Sequence, residues 1–176
     1  MAKCKVSTPT NVTAAAPLSD QTRKEYAMTV MRILLNSGMD GMTKEVAAAF
    51  CGNFWGESSF NPSVKGDSGQ SIGIAQWYNT RKRNLENFAK NQKPPKSATD
   101  IETQARFVLD ELQSKDYSSI WHDLKGMTDI NEATRIILDR YEKPEVARNQ
   151  NNNPGPYKKE LSLRISYALR MYQDYQ

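Results

Sequence analysis

One carboxylate in this chain is distinguished by the residues around it. Glu57 ends the apolar segment Phe50-Cys51-Gly52-Asn53-Phe54-Trp55-Gly56, and a glycine-rich loop carrying Gln76 and Trp77 follows. In a helix, with about 100° between successive residues, Glu57 lies about 20° from Val46 and so leaves from the apolar face. A carboxyl group there is poorly solvated and sits at the negative end of the helix dipole, and both effects favour its protonated form. Such a group could protonate a glycosidic oxygen.

A second carboxylate is needed if water is to attack the sugar. An inverting hydrolase places its base about 6.5–9.5 Å from the acid, which leaves room for the water. Asp67 is the leading candidate, because its loop could fold back across a cleft toward Glu57. The alternative is that Asp67 is only a turn residue beside Gly66. Glu142 and Tyr141 are further candidates for a partner of Glu57.

Four short motifs occur in order along the chain. They are Glu57-Ser58, Asn61-Pro62, Gly73-Ile74-Ala75-Gln76-Trp77 with Arg81 and Leu85 beyond, and Tyr141-Glu142-Lys143-Pro144. Each motif is weak evidence alone, but the ordered set is fairly specific. It resembles the phage-type branch of the lysozyme superfamily, which is related to goose-type lysozymes and lytic transglycosylases. The similarity runs from about Leu18 to the C-terminus.

The resemblance implies a fold and an activity. The fold would be mainly α, of the lysozyme-like α+β kind, with a helical bundle and a small loop or hairpin lobe flanking the cleft. The activity would be cleavage of the β-1,4 bond between N-acetylmuramic acid and N-acetylglucosamine in bacterial peptidoglycan, with no cofactor and a bacteriophage source. A lytic transglycosylase giving 1,6-anhydro products is one alternative. A non-catalytic basic helical protein that binds nucleic acid or a glycan is the other.

The resemblance also implies roles for individual residues. Glu57 would be the general acid, and Ser58 would hydrogen-bond locally and fix the helix end rather than act as a nucleophile. Gln76 would face the cleft and position sugar or water, while Trp77 could stack on a sugar or pack in the core. Tyr141 could match a tyrosine that contacts the catalytic glutamate in transglycosylases, although here Glu142 replaces the usual asparagine.

Two other chemistries are suggested by isolated motifs and are not favoured. Gly69-Gln70-Ser71-Ile72-Gly73 fits the nucleophile-elbow pattern, but the residues before Ser71 are typical of a loop rather than a strand. The single histidine, His122, would have to be its base. One histidine and two distant cysteines form no recognisable zinc ligand set, so no metal is expected. Cys51 is expected to be a small buried thiol rather than half of a structural disulfide with Cys4.

Composition favours an ordinary globular domain. The 176 residues are 38% hydrophobic and 25% charged, with a net charge of +4 and a pI near 9.0, which suits an anionic wall polymer. No apolar run reaches the 18 residues of a membrane span, and we expect a monomer without a nucleic-acid partner. Residues 1–17 lack a leucine-rich core of a signal peptide, so we expect a flexible tail before a catalytic domain at 18–176. Delivery would then be through a holin from the host cytoplasm, or with the virion tail.

The periodicity predicts a mainly helical chain without internal repeats or βαβ alternation. A short hairpin is expected near 71–77, and 149–156 is expected to be a loop. Helices are predicted at 20–37, from a Thr43 cap to Glu57, and at 81–91, 99–114, 129–142 and 157–172. Capping boxes are expected at Thr99 with Glu102 and at Asp129 with Glu132.

Overall fold

Helices form most of the protein. The computed structural model describes residues 18–176, so the expected tail at 1–17, including Cys4, lies outside the described residues. The helices are α1 (Asp20–Leu35), α2 (Lys44–Ser58), α3 (Thr80–Asn91), α4 (Ile101–Gln113), α5 (Ser118–Leu124), α6 (Ile130–Ile136), α7 (Glu145–Arg148) and α8 (Pro154–Asp174). The strands are β1 (Lys65–Gly66), β2 (Ser71–Ile72) and β3 (Trp77–Tyr78). The predicted fold class, mainly α with a small β lobe, is confirmed.

Helix α2 is the centre of the bundle and delivers Glu57. It begins at Thr43, whose hydroxyl accepts a hydrogen bond from the Val46 amide at 3.1 Å, as the sequence predicts. Every residue from Val46 to Phe54 is buried, and α2 packs against α1, α6 and α8. The helix ends where Ser59 adopts a left-handed conformation with φ of 50°.

The approach of α8 to α2 depends on a small residue. A Cβ atom on Gly52 would lie 2.4 Å from the carbonyl oxygen of Arg164 and 2.8 Å from the Cβ of Ala168. Only glycine therefore allows this separation of the two backbones. The close approach carries Arg164 to the C-terminal end of α2, where Glu57 lies.

The small lobe is a three-stranded antiparallel sheet in the order β1-β2-β3. Lys65 pairs with Ile72 in the first ladder, and Ser71 pairs with Tyr78 in the second. The β2–β3 hairpin confirms the one predicted at 71–77, whereas β1 was not predicted because two residues carry too little pattern. A 3₁₀ turn at Asp67–Gly69 joins β1 to β2.

Several helix boundaries differ from the prediction. Helix α4 begins after Asp100, whose Oδ1 accepts from the Thr103 amide at 2.8 Å, so the Thr99–Glu102 capping box is wrong. Asp129 does cap α6, but Glu132 binds Arg135 instead of completing the box. The predicted helix at 129–142 changes to π-helical form over Ile137–Glu142. The short helix α7 was not predicted, and α8 begins before the predicted residue 157, at Pro154.

Within residues 18–176, no helix has the length and apolarity needed to cross a membrane. Cys51 is fully buried, as predicted, and this burial raises the pKa of its thiol.

Candidate active site

Four of the candidate residues, Glu142 among them, line one cleft between the small lobe and the helices. Glu57 comes from the end of α2, Asp67 from the 3₁₀ turn, and Gln76 from the residue before β3. The cleft has a volume of about 590 Å³. Its remaining lining residues are Tyr78, Glu142, Lys143, Pro144, Glu145 and Arg148. Residues far apart in sequence thus converge on one open site that contains several carboxyl groups.

Glu57 is held by a buried cation. Its side chain is 16% exposed, and its Oε1 accepts a hydrogen bond from Nη2 of Arg164 at 2.6 Å. The sequence predicts that burial and the helix dipole favour the protonated carboxyl group. The structure adds a contact that the sequence did not predict, a buried guanidinium group bound to this carboxyl group.

Arg164 is itself fixed by several partners. Its Nη1 donates to Oδ1 of Asn53 at 3.1 Å and to the Asn53 carbonyl at 3.3 Å, while its Nε donates to Oε1 of Glu160 at 2.8 Å. The Arg164 side chain is only 3% exposed. The Glu57 carboxylate is therefore oriented before any substrate arrives.

Glu142 places a second carboxyl group beside Glu57. It ends the π-helical segment, and its Oε1 is buried without a hydrogen-bond partner. Burial first, and then the charge of Glu57, raise the pKa of Glu142 well above the usual carboxyl value, against the opposing effect of Arg81 and Arg164. This carboxyl group is therefore suited to hold a proton near neutral pH.

Asp67 lies in the cleft on a strained turn. Its φ is 48° and that of Ser68 is 56°, both in the left-handed region that Asp tolerates better than most residues. The Gln70 amide donates to the Asp67 carbonyl at 3.1 Å, which closes the turn. The Asp67 side chain is exposed, so water could reach its carboxylate.

Gln76 is held at the cleft by the small lobe. Its Nε2 donates to the Gly73 carbonyl at 2.9 Å and to the Val64 carbonyl at 3.4 Å. Its Oε1 accepts from the Ser71 hydroxyl at 2.8 Å. An amide oxygen has two lone pairs, so Oε1 can accept one further hydrogen bond from a sugar or water.

Ser58 acts at the helix end, as predicted. Its hydroxyl is within hydrogen-bonding distance of the carbonyl oxygens of Phe54, at 3.2 Å, and Ile74, at 3.0 Å. These contacts join the end of α2 to the loop that carries Gln76. Ser58 is not among the residues that line the cleft.

The predicted sugar contact of Trp77 is wrong. Trp77 is fully buried, and its Nε1 donates to Oε2 of Glu111 at 2.7 Å, so its indole is closed to a glycan. Its other possible role, packing in the core, is the one observed. The neighbouring Tyr78 lines the cleft instead and is 45% exposed.

The predicted contact of Tyr141 with Glu57 is also not observed. Tyr141 is buried, and its hydroxyl donates to Oε2 of Glu111 at 2.5 Å rather than to Glu57. Arg81 donates to both oxygens of Glu111 at 2.8 and 2.9 Å. Glu111 therefore joins α4 to β3, α3 and the π-helical segment. Tyr141 belongs to this buried network and does not line the cleft.

The elbow motif does not form a nucleophile site. Ser71 lies in β2, and a turn and β3 follow it where the elbow requires a helix. His122, on α5, is 88% exposed, and its Nδ1 lies 3.3 Å from Asp123. No group of three or more His, Cys, Asp or Glu residues within 18–176 is placed to hold a metal ion.

Sequence reasoning missed Arg164 and Glu111. Arg164 shares the buried face of α8 with Tyr157, Ala168 and Met171, so a charged residue interrupting an apolar stripe was the available signal. Glu111 likewise lies on the buried face of α4, beside Leu112 and Val108. A buried charge requires a partner, but the pattern could not identify which one.

The comparisons with known proteins agree with this geometry. No curated protein matches the sequence, whereas a family model described as phage tail lysozyme matches residues 25–175, which is most of the chain. The match supports a lysozyme-type enzyme from a bacteriophage that degrades peptidoglycan. The chain belongs to the phage tail lysozyme family.

Proposed function

We propose that this protein is a muramidase that hydrolyses the β-1,4 bond between N-acetylmuramic acid and N-acetylglucosamine. The observation that carries the proposal is the position of Glu57. It ends the central helix in the cleft between lobe and bundle, in the same cleft as Asp67 and Gln76. The chain belongs to a lysozyme family, and glycosidases use carboxyl groups placed in a cleft of this kind.

In the proposed mechanism, Glu57 gives a proton to the leaving glycosidic oxygen while the bond to C1 breaks. The sugar passes through an oxocarbenium-like state. Asp67 orients a water and takes its proton as the water attacks C1. The oxygen of Gln76 accepts a hydrogen bond from the sugar or the water. No cofactor enters these steps.

Lytic transglycosylation is the competing reaction, since it uses the same acid and needs no water. The exposed Asp67 carboxylate in the cleft favours hydrolysis, because a transglycosylase has no role for a group that activates water. A non-catalytic glycan-binding or nucleic-acid-binding protein is the remaining alternative. The raised pKa of Glu142, which lies in the cleft with Glu57, favours an enzyme over a binding protein, since perturbed carboxyl groups in clefts are typical of catalytic sites.

The partner in this proposal is bacterial peptidoglycan, and the acting unit is a monomer. The wall is reached either from the host cytoplasm through a holin or with the virion tail. Detection of the protein in purified virions supports the second route, and its presence only in the infected-cell lysate supports the first.

Replacement of Glu57 by Gln tests the proposal. Gln is nearly isosteric but cannot donate a proton to the leaving oxygen, so lysis of purified cell walls should fall by about 10²–10⁴-fold. Glu102→Gln is the control, because Glu102 is 53% exposed on α4, pairs with Arg32 outside the cleft and should keep wild-type lysis. If Glu57→Gln retains circular dichroism and full lysis, the proposed mechanism is wrong.

A further inference from the structure

The cleft contains more carboxyl groups than a single acid and a single base require. Glu142 lies beside Glu57 on the wall opposite the small lobe, and its Oε1 is buried without a hydrogen-bond partner. Leaving a buried charged oxygen without a donor is costly, whereas a neutral carboxyl group avoids most of that cost. The geometry therefore places a proton at Glu142.

Arg164 makes the two carboxyl groups unequal. Its guanidinium donates to Oε1 of Glu57 at 2.6 Å, whereas Oε1 of Glu142 has no hydrogen-bond partner. The Glu57 carboxylate is thus paired with a cation in the free enzyme, while the unpartnered oxygen favours a neutral Glu142. A general acid, however, must carry its proton when it reaches the glycosidic oxygen.

We propose that Glu57 and Glu142 share a single proton, which rests on Glu142 in the free enzyme and passes to Glu57 for donation to the leaving oxygen. This inference rests on the proposed muramidase function. Glu142 acts through Glu57 in this scheme and is a positioning residue for the proton. The scheme requires no contact between Glu142 and the substrate.

The proton and charge balance is simple. The free pair carries one proton and one negative charge. Donation by Glu57 breaks the bond between C1 and oxygen and leaves both carboxylates charged beside the positive oxocarbenium-like sugar. Attack by water on C1 releases one proton, which passes through Asp67 and solvent and restores the singly protonated pair. Nothing is oxidised or reduced.

Charged and titratable groups from the surrounding elements act on this pair. Arg81 on α3, Glu111 on α4, Tyr117 ahead of α5 and Arg164 on α8 interact electrostatically with Glu142. Asp67, Lys143, Glu145 and Arg148 face the same cleft. Two charged residues of α5 and α6 bind the π-helical segment at other side chains. Asp123 on α5 binds Arg140, and Arg135 on α6 binds Asp139. Burial, followed by the charge of Glu57, is the largest influence that keeps the proton on Glu142.

A shared proton has a consequence for the pH dependence of lysis. Loss of the last proton leaves two like charges side by side, so the pair keeps that proton to higher pH than either group would alone. The same logic governs carboxyl pairs in other enzymes. Replacing Glu142 by Gln removes this repulsion, so the proton should leave the site at lower pH than it does from the pair.

The test is the pH profile of cell-wall clearing by Glu142→Gln. We expect the alkaline limb to move to lower pH by at least about one unit, so that activity at pH 8 falls about tenfold or more while activity at pH 5 stays within about threefold of wild type. Glu102→Gln, which removes an exposed carboxylate outside the cleft, should retain the wild-type profile. An unmoved limb, or an equal loss at every pH, overturns the shared proton while leaving Glu57 as the acid.

Failure of the proposed function gives a different result. A wild-type protein without lytic activity, or a fully active Glu57→Gln variant, would overturn the muramidase proposal itself. A second readout does not depend on lysis. The infrared carbonyl band of a protonated carboxyl group should be present in the wild type at pH 7 and weaken in Glu142→Gln, and an unchanged band overturns the inference.

Discussion

Nη2 of Arg164 lies 2.6 Å from Oε1 of Glu57, and this contact joins residues 107 positions apart in the sequence. It connects the end of α2 to the middle of α8 at the edge of the cleft. Because Asn53 and Glu160 also bind the guanidinium, the cation is fixed independently of any substrate. The orientation of the proposed acid is therefore built into the packing of the two helices.

Arg164→Met should be strongly destabilising. The change leaves Glu57 and Asn53 without their buried donor, and breaking a buried ion pair costs about 3–5 kcal/mol of unfolding free energy. Urea denaturation gives the measurement. Arg170→Met is the matched control on the same helix, because Arg170 is 62% exposed and lies 3.8 Å from Asp174. Its loss should be no more than about 1 kcal/mol, and similar losses for both variants would contradict this view of Arg164.

Gly52→Ala should show how tightly α2 and α8 pack. The added methyl group would meet the Arg164 carbonyl oxygen at 2.4 Å, so the helices must separate at a cost of about 1–3 kcal/mol. Ser162→Ala is a control on the exposed face of α8. It should be neutral or stabilise by up to about 1 kcal/mol. Thermal unfolding compares the two, and an unaffected Gly52→Ala protein would show that the helices move apart freely.

Local sequence signals predicted the elements that position the proposed acid. Thr43 as a helix cap and the apolar phase through Phe50 and Phe54 located α2 and placed Glu57 at its inner face. The glycines and polar residues at 66–70 predicted the loop that carries Asp67. These signals act over a few residues, so one sequence contains them.

The partners of the site could not be predicted, because they depend on tertiary packing. Nothing near Glu57 in sequence indicates Arg164. Core packing is the more common fate of a residue such as Trp77, but its hydrogen bond to Glu111, a residue 34 positions away, could not be predicted. The hydroxyl of Tyr141 also donates a hydrogen bond to Glu111. The family resemblance identified residues that line the cleft, but it did not predict the contacts of the buried Trp77 and Tyr141 side chains.

Substitutions at Trp77 and Tyr78 should have different effects. The change at Trp77 should lower stability, and the change at Tyr78 should weaken substrate binding. Trp77→Phe loses the hydrogen bond to Glu111 and should lower the unfolding free energy by about 1–3 kcal/mol, with an unchanged KM for solubilised peptidoglycan. Tyr78→Ala removes an exposed aromatic ring from the cleft. Its KM should rise about 5–30-fold, equivalent to about 1–2 kcal/mol, with little change in stability. The reverse pattern would restore Trp77 as a sugar contact.

Glu142→Gln should stabilise the protein above the ordinary carboxyl pKa. The pKa of Glu142 is raised in the folded state, so the unfolded chain ionises first as the pH rises, and wild-type stability falls between the unfolded and folded pKa values. Gln does not ionise. The stability advantage of the variant over wild type should therefore be absent below pH 4 and grow by up to about 1.4 kcal/mol per pH unit above it. Urea denaturation at several pH values measures this difference, and a constant difference would contradict the raised pKa.

The products of digestion should show whether Asp67 activates water. Hydrolysis leaves a reducing N-acetylmuramic acid, whereas transglycosylation closes a 1,6-anhydro ring and gives fragments lighter by one water. We expect reducing ends from the wild type by mass spectrometry. Asp67→Asn should slow their release by about 10²–10⁴-fold while binding persists, because an amide cannot accept the proton of the attacking water.

The backbone conformation of the turn allows Asp67 to be replaced by Asn without distorting the loop. Asn tolerates the left-handed φ of 48° at this position about as well as Asp, and Gly tolerates it without strain. Asp67→Asn and Asp67→Gly should therefore both keep the loop and both lose activity, since they share only the missing carboxylate. If both variants remain fully active and the wild-type fragments carry 1,6-anhydro ends, the enzyme is a transglycosylase and Asp67 serves only the turn.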